Sequence, residues 1–309
     1  MDISKKISQK PLIIVFTRMI TLEHEHSWKL LLYPGVFFLF IITIVPTVYA
    51  LLLSLQQYNL AKPNERHINF FLNYFFVLKD RRFWNAFSRT TIFTTVSLIV
   101  ELVIGMILAM SLAKKTFFKG FVQIFILIPM ITTPVVVGLV WKMFYDPQFG
   151  MLSYFLHLLG IGPLDMLGDK DLSLIALIIV DIWEWTPYVT LILLAGIQSL
   201  PLEPYESAIV DGANQFTIFR WITLPLLTPV LSVAVIFRFM DLFKWMDTIY
   251  VITGGGPGIA TETLSYYGYA NTFKFLEVGY SSALSIFMLI IIIFICNNAG
   301  KRIFMKGEE

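Results

Sequence analysis

Apolar residues fall along this chain in long runs separated by short polar stretches, and six of the runs approach the length needed to cross a bilayer. A spanning helix takes ~20 predominantly apolar residues, because its backbone polar groups must pair within the helix where water is absent. The runs extend from Leu30 to Leu55, Thr90 to Ala113, Phe121 to Phe144, Leu172 to Ile197, Pro229 to Ile252 and Ser281 to Cys296. The last is short and can extend backward through Val278. The pattern predicts an all-α, polytopic membrane protein with six transmembrane helices over residues 30–300, an N-terminal segment 1–29 and a tail 301–309. Pro129 and Pro134 in the third run predict a kinked or broken helix, since proline lacks the N–H that would continue the ladder.

Composition agrees with the membrane reading. Hydrophobic residues make up 57% of the 309 residues and charged residues 14%, with a mean hydropathy of +0.75; soluble domains carry roughly a quarter charged residues. The segment before the first run is charged, carries His24 and His26 and lacks a small-residue cleavage site, so no cleavable signal peptide is expected. Its Pro11 to Ile20 stretch, broken by Arg18, is too short to cross and reads as an interfacial helix or a tail. The single Cys296 excludes an intrachain disulfide.

Orientation follows from Lys and Arg in the flanks. Lys5, Lys6, Lys10, Arg18 and Lys29 precede the first run, Lys114, Lys115 and Lys119 fill the second connection, and Lys301, Arg302 and Lys306 follow the last run. The first connection opposes this with Lys62, Arg66, Lys79, Arg81, Arg82 and Arg89, while the third and fifth hold one basic residue each, Lys170 and Lys274. The balance places both termini inside, and with them the connection at residues 201–228.

That connection is too long and too patterned to be a simple turn. Pro204 suits a first helical turn, Glu206 puts negative charge where the helix dipole favours it, and Gly212 can take the positive-φ conformation that ends one helix and re-aims the next. Glu206-Ser207-Ala208, then Asp211-Gly212-Ala213 and, further on, Ile222-Thr223-Leu224-Pro225 resemble the so-called EAA loop of bacterial ABC importer permeases, with Ser207 replacing one family position. Tyr250 to Pro257 with Thr261-Glu262-Thr263 resembles the Thr-x-Gly-Gly-Pro signature of carbohydrate importer permeases of the maltose and glycerol-phosphate type. Asn73-Tyr74, Phe83-Trp84-Asn85 and Gly279-Tyr280-Ser281-Ser282-Ala283 are similar to the same branch.

The resemblance implies a type I permease fold, with Glu206, Ser207, Ala208, Asp211, Gly212 and Ala213 coupling to an ATPase. It implies two separate ATP-binding cassette subunits that hold ATP and Mg, a second, non-identical permease, a periplasmic solute-binding protein and the bacterial inner membrane with its lipid. No nucleic-acid partner is expected. The chain has no Gly-x-x-x-x-Gly-Lys-Ser/Thr, and its Gly254 to Gly258 run lacks the lysine that would reach a phosphate, so the motor must be another subunit and the chain itself is expected to be neither an enzyme nor a cofactor holder.

Ionisable residues within spans are costly and mark either internal pairs or a transport path. Asp181, Glu184, Trp185 and Tyr188 share one face of the fourth run, and Arg238, Asp241 and Trp245 share a face of the fifth. Two polar, aromatic faces at similar depth predict one cavity suited to sugar hydroxyls and C–H faces. The resemblance implies a mid-membrane sugar site near Asp181, Glu184, Trp185, Tyr188, Arg238, Asp241 and Leu242. Alternatively, Arg238 neutralises Asp181, Glu184 or Asp241 and holds the bundle together. Glu101 can pair with another helix, and Lys142, near the outer end of its run, can snorkel.

Two other classes are weighed against an importer permease. An ion-coupled secondary carrier predicts duplicated halves, and no such repeat is evident at the level of residues. A polytopic membrane enzyme would need a catalytic set, whereas His24, His26, His67 and His157 are dispersed outside the runs.

Overall fold

The computed structural model describes residues 27–114, 119–160 and 164–304; the Pro11 to Ile20 stretch, His24 and His26 lie outside the described residues. The chain divides into two units, residues 1–53 and 54–309. The described part of the first lies in α1 (Ser27–Ser54), whose residues 32–53 are almost wholly apolar, the composition of a lipid-embedded span.

The second unit opens with a short antiparallel pair, β1 (Gln56–Gln57) and β2 (His67–Ile68), followed by α2 (Leu72–Lys79). Among the described residues the regular structure is otherwise helical. α3 (Arg81–Ala113) starts nine residues ahead of the expected Thr90, because Asp80 caps it by accepting a hydrogen bond from the Arg82 N–H at 2.8 Å. α7 (Leu172–Gln198) and α13 (Val278–Phe304) occupy the fourth and sixth predicted spans.

The third predicted span is two helices, α4 (Lys119–Ile131) and α5 (Pro134–Phe144), meeting at 94°. Pro134 sits in the first turn of α5, where its missing N–H costs nothing, and the residue before a proline is pushed out of the helical region. The pair links two levels of the unit: Ile126 packs beside Met106, Leu193 and Leu227, whereas Val137 and Tyr145 join Leu174, Ile249 and Ile252. α6 (Met151–Leu158) follows.

The fifth predicted span is also divided, into α10 (Leu224–Lys244) and α11 (Asp247–Ile252). At the break Trp245 is extended and its ring stacks on Phe93 at 4.6 Å. The last long connection carries α12 (Leu264–Phe273). Among the described residues, five helices are long and apolar enough to cross a membrane, or six if the bent α4–α5 pair counts as one span.

Candidate transport site and coupling loop

Arg238 is the centre of the most polar region within the bundle. From α10 its guanidinium reaches α3, with Nε 2.7 Å from Glu101 Oε2 and Nη2 2.8 Å from Oε1, and reaches α7, with Nη2 2.6 Å from Asp181 Oδ1. All three side chains are fully buried. A planar fork gripping one carboxylate bidentately and touching a second is the strong form of an ion pair, because each contact is charge-assisted. Trp185 lays its ring 5.1 Å from the guanidinium carbon, a cation–π contact, and Tyr188 meets Trp185 edge-on at 6.1 Å.

The cluster holds three acids, Glu101, Asp181 and Glu184, against one base. Several of its polar atoms lack a hydrogen-bond partner among the described residues despite burial: Asp181 Oδ2, Glu184 Oε2, Trp185 Nε1 and Arg238 Nη1, with Thr94 Oγ1, Ser97 Oγ and Thr248 Oγ1 nearby on the same elements and their neighbours. Buried polar atoms are normally satisfied, so the cluster has hydrogen-bonding capacity beyond its internal pairs.

Of the seven residues expected along a cavity, the structure brings Asp181, Glu184, Trp185 and Arg238 together. Tyr188 stands next to them, half-buried. Asp241 does not join: it is 48% exposed and lies 3.9 Å from the ammonium of Lys244. Leu242 is fully buried in an apolar core with Phe93, Leu177 and Ile249, which corrects its placement on a polar lining. A three-residue step on a helix turns side chains by about 60° from alignment, enough to separate Asp241 from Arg238. Glu101, a lesser candidate by sequence, is the bidentate partner of Arg238. Its isolated charge within an apolar run was the legible signal.

The connection at 201–228 folds as a knob. α8 (Glu203–Val210) has Pro204 in its first turn, with Glu203 and Glu206 at its positive end. Gly212 adopts φ +77, and the helix closes with N–H groups of Gly212 and Ala213 donating to Ile209 O and Ala208 O. Asn214 then caps α9 (Gln215–Ile218) by accepting from the Thr217 N–H at 2.8 Å. A wide turn, Phe219–Thr223, leads into α10. The Tyr205 hydroxyl donates to Thr223 Oγ1 at 3.1 Å, tying α8 to the root of α10. Glu206, Ser207, Asp211 and Gly212 are exposed, Ala208 and Ala213 half-buried. Ile209, Val210, Phe216 and Trp221 present large apolar surfaces beside them, the form of a docking face.

The opposite end is locked by contacts among the connections. Arg82 pairs bidentately with the buried carboxylate of Glu262 at 2.7 and 2.8 Å. Thr253, Thr261 and the Gly256 carbonyl form a chain of hydrogen bonds across the glycine run. Asp80 accepts from the hydroxyls of Tyr267 and Tyr280. Burial opposes ionisation of Asp80, but the two hydroxyls and the N–H groups of Arg82 and Phe83 outweigh it and hold its carboxyl below the usual range. Burial, reinforced by Asp80, pushes Tyr267 up to about 12. The motifs near residues 83–85, 253–263 and 279–281 thus meet in space, a convergence across 180 residues that no local pattern announces.

A family model described as the binding-protein-dependent transport system inner membrane component matches residues 101–301. The chain is 34% identical, over 97% of its length and 94% of the relative's, to the trehalose transport system permease of Mycobacterium tuberculosis. It is 34% identical to the trehalose/maltose transport system permease of Thermococcus litoralis, covering 72% of this chain and 75% of that one. It is 32% identical to the sulfoquinovosyl glycerol transport system permease of Agrobacterium fabrum, covering 88% and 89%. A chain in the crystal structure of a bacterial alginate ABC transporter in complex with an alginate pentasaccharide-bound periplasmic protein shares the fold, with a TM-score of 0.77 at 20% identity over 89% of this chain and 93% of that one. The matched family model, the relatives and the shared fold agree: this chain belongs to the family of binding-protein-dependent transport system inner membrane components, the permeases of ABC importers.

Proposed function

We propose that this chain is one permease of a carbohydrate importer in a bacterial inner membrane, with both termini cytoplasmic, driven by ATP hydrolysis in separate subunits. The observation that carries the reading is the conjunction of family membership with a capped, exposed coupling knob at one end and a polar, aromatic cluster within the bundle. Relatives named for trehalose, maltose, sulfoquinovosyl glycerol and sn-glycerol-3-phosphate support a hydroxyl-rich substrate.

The partners in this reading are a second, non-identical permease, two cassette subunits that bind ATP and Mg, and a periplasmic solute-binding protein. Cassette closure moves the Glu206 to Asn214 region as a body. The Tyr205–Thr223 hydrogen bond passes that motion to α10, and Arg238 carries it to α3 and α7 through Glu101 and Asp181. Rigid elements joined at discrete polar contacts switch between arrangements rather than bend. Trp185, Tyr188 and Asp241, which retain accessible surface, contact the sugar; Arg238 and Asp181 brace the helices behind them. Glu184 lies beneath that surface, and Leu242 packs in the apolar core.

The test is ATP hydrolysis by the assembled complex in nanodiscs. Hydrolysis rises when binding protein loaded with a neutral disaccharide is added and rises less with empty binding protein. Equal rates with loaded and empty protein across a panel of carbohydrates overturn the substrate class.

A further inference from the structure

A polar pocket lies at the end of the larger unit remote from the coupling knob. It encloses about 270 Å³ between the β1 region, α2, α12 and the start of α13, and its lining includes Asn69, Asn73, Asn271, Glu277 and the rings of Tyr267 and Tyr280. None of these residues belongs to the Arg238 cluster.

The polar groups of the lining are partly engaged with one another, and the exposed Gln57 carboxamide adds both donors and an acceptor. Asn73 Nδ2 donates to the carbonyls of Ser54 and Gln56 at 2.8 Å each, and its Oδ1 accepts from Asn69 Nδ2 at 3.0 Å. Asn271 Nδ2 is committed to the Tyr267 carbonyl at 2.8 Å. The hydroxyls of Tyr267 and Tyr280 donate to Asp80, which fixes both rings. Asn69 is only 8% exposed, and its Oδ1 has no partner among the described residues. A buried, unmatched carbonyl oxygen pays its desolvation cost without return until a donor arrives. The lining also holds Glu277, one of whose oxygens accepts from Asn59 Nδ2 at 2.9 Å.

The backbone around the pocket is strained at two points. Phe70, next to Asn69, has φ +53, and Leu276, next to Glu277, has φ +61. Bulky residues are uncommon in the left-handed region, and such positions concentrate at ligand sites where the surroundings impose them. Gly279 lets α13 approach β1 closely: its N–H donates to Tyr58 O at 3.0 Å, and a Cβ there would lie 2.1 Å from Gln56 O.

We propose that this pocket is an outer carbohydrate subsite that takes a single neutral sugar ring on its way from the binding protein to the polar, aromatic cluster at Trp185. A sugar ring supplies hydroxyl donors and acceptors in several directions and C–H faces for Tyr280 and Phe76, which matches a mixed polar and aromatic lining. The carboxylate of Glu277 excludes sugar acids. A lysine side chain of a docked protein would also donate, but it would leave the aromatic walls unfilled. The inference rests on the carbohydrate-import reading.

The test uses the assembled importer in nanodiscs, without nucleotide or binding protein, probed by saturation-transfer difference NMR with D-glucose, D-galactose and D-glucuronate. A neutral hexose receives saturation and the uronate does not. Gln57→Trp, at an exposed lining position, fills the pocket, and Asn69→Leu removes the orphan acceptor; each reduces the hexose signal at least about threefold, the effect of losing one hydrogen bond. Absence of a hexose signal in the wild-type complex, or its survival in Gln57→Trp, overturns the subsite. So does a Gln57→Trp complex that binds hexose normally but loses docking of the binding protein, which would identify a protein side chain as the occupant. Uptake of radiolabelled disaccharide by the same wild-type complex with its binding protein is read in parallel. Uptake without the hexose signal removes the subsite alone, whereas no carbohydrate uptake removes the broader reading.

Discussion

Replacing Arg238 with methionine separates a brace from a substrate contact. The change deletes three charge-assisted hydrogen bonds, two to Glu101 and one to Asp181, and leaves two carboxylates fully buried with no counter-charge. Breaking a buried pair by removing one partner costs about 3–5 kcal/mol. At roughly 2 °C per kcal/mol for a chain of this size, the Tm of the purified complex falls by about 6–10 °C. Neutralising the stranded acids restores most of it, so Arg238→Met with Glu101→Gln and Asp181→Asn regains more than half of the loss, while Asp241→Asn with Arg238→Met regains nothing. The assay is thermal unfolding of the assembled complex by intrinsic fluorescence, alongside the concentration dependence of sugar uptake. If Arg238→Met leaves Tm within about 2 °C of wild type and weakens apparent sugar affinity about tenfold, which is ~1.4 kcal/mol, then Arg238 is a ligand contact and the brace is refuted.

Other outcomes follow from the same structure. Glu206→Lys reverses the charge at the start of α8, and Gly212→Asp forces a side chain into φ +77; both should leave membrane insertion normal and abolish stimulation of ATP hydrolysis by loaded binding protein. Wild-type stimulation in both would remove the coupling role of the knob. In a Cys296→Ala background, cysteines at Lys170 and Ile259 should react with a membrane-impermeant maleimide in spheroplasts, and one at Gln215 should react only after lysis; the opposite pattern inverts the topology. Trp185→Phe and Asp241→Asn should each shift apparent sugar affinity several-fold, for about 1 kcal/mol, with complex assembly intact; unchanged uptake kinetics in both would remove them from the sugar path. Asp80 has a carboxyl held below its usual range, so its contribution is present at neutral pH and is lost as pH falls below ~4. Tyr267, raised to about 12 from 10.0, contributes in the other direction, being lost as pH rises between those values. Proteolytic sensitivity of the 253–277 connection should therefore rise at both extremes, and Asp80→Asn should abolish the acid limb.

Spans and the knob were legible because their signals are local. Apolar runs of the right length, Pro204 in a first turn and Gly212 at a helix end each report on neighbours within a few residues, and the helices formed where those signals lay. Pro134 announced the broken third helix, but not the 94° angle, which depends on how α4 and α5 pack at different levels. The break at Trp245 had no proline or glycine to mark it; the stacking on Phe93, some 150 residues away, accompanies it. Periodicity put Arg238 and Asp241 on one face, yet helix rotation buried the first and exposed the second. Glu101 was visible as an isolated charge, but its pairing with Arg238 across 137 residues required the relative depth of two helices, which no single-helix pattern contains. The outer pocket was illegible for the same reason, since its asparagines come from distant segments.

The most direct test of the account is uptake by proteoliposomes containing the complete importer, with ATP and Mg inside and binding protein charged with a radiolabelled neutral disaccharide outside. Accumulation should require both internal ATP and external binding protein and be indifferent to proton and sodium ionophores. Uptake that proceeds without ATP and collapses when the ion gradient is dissipated would contradict it.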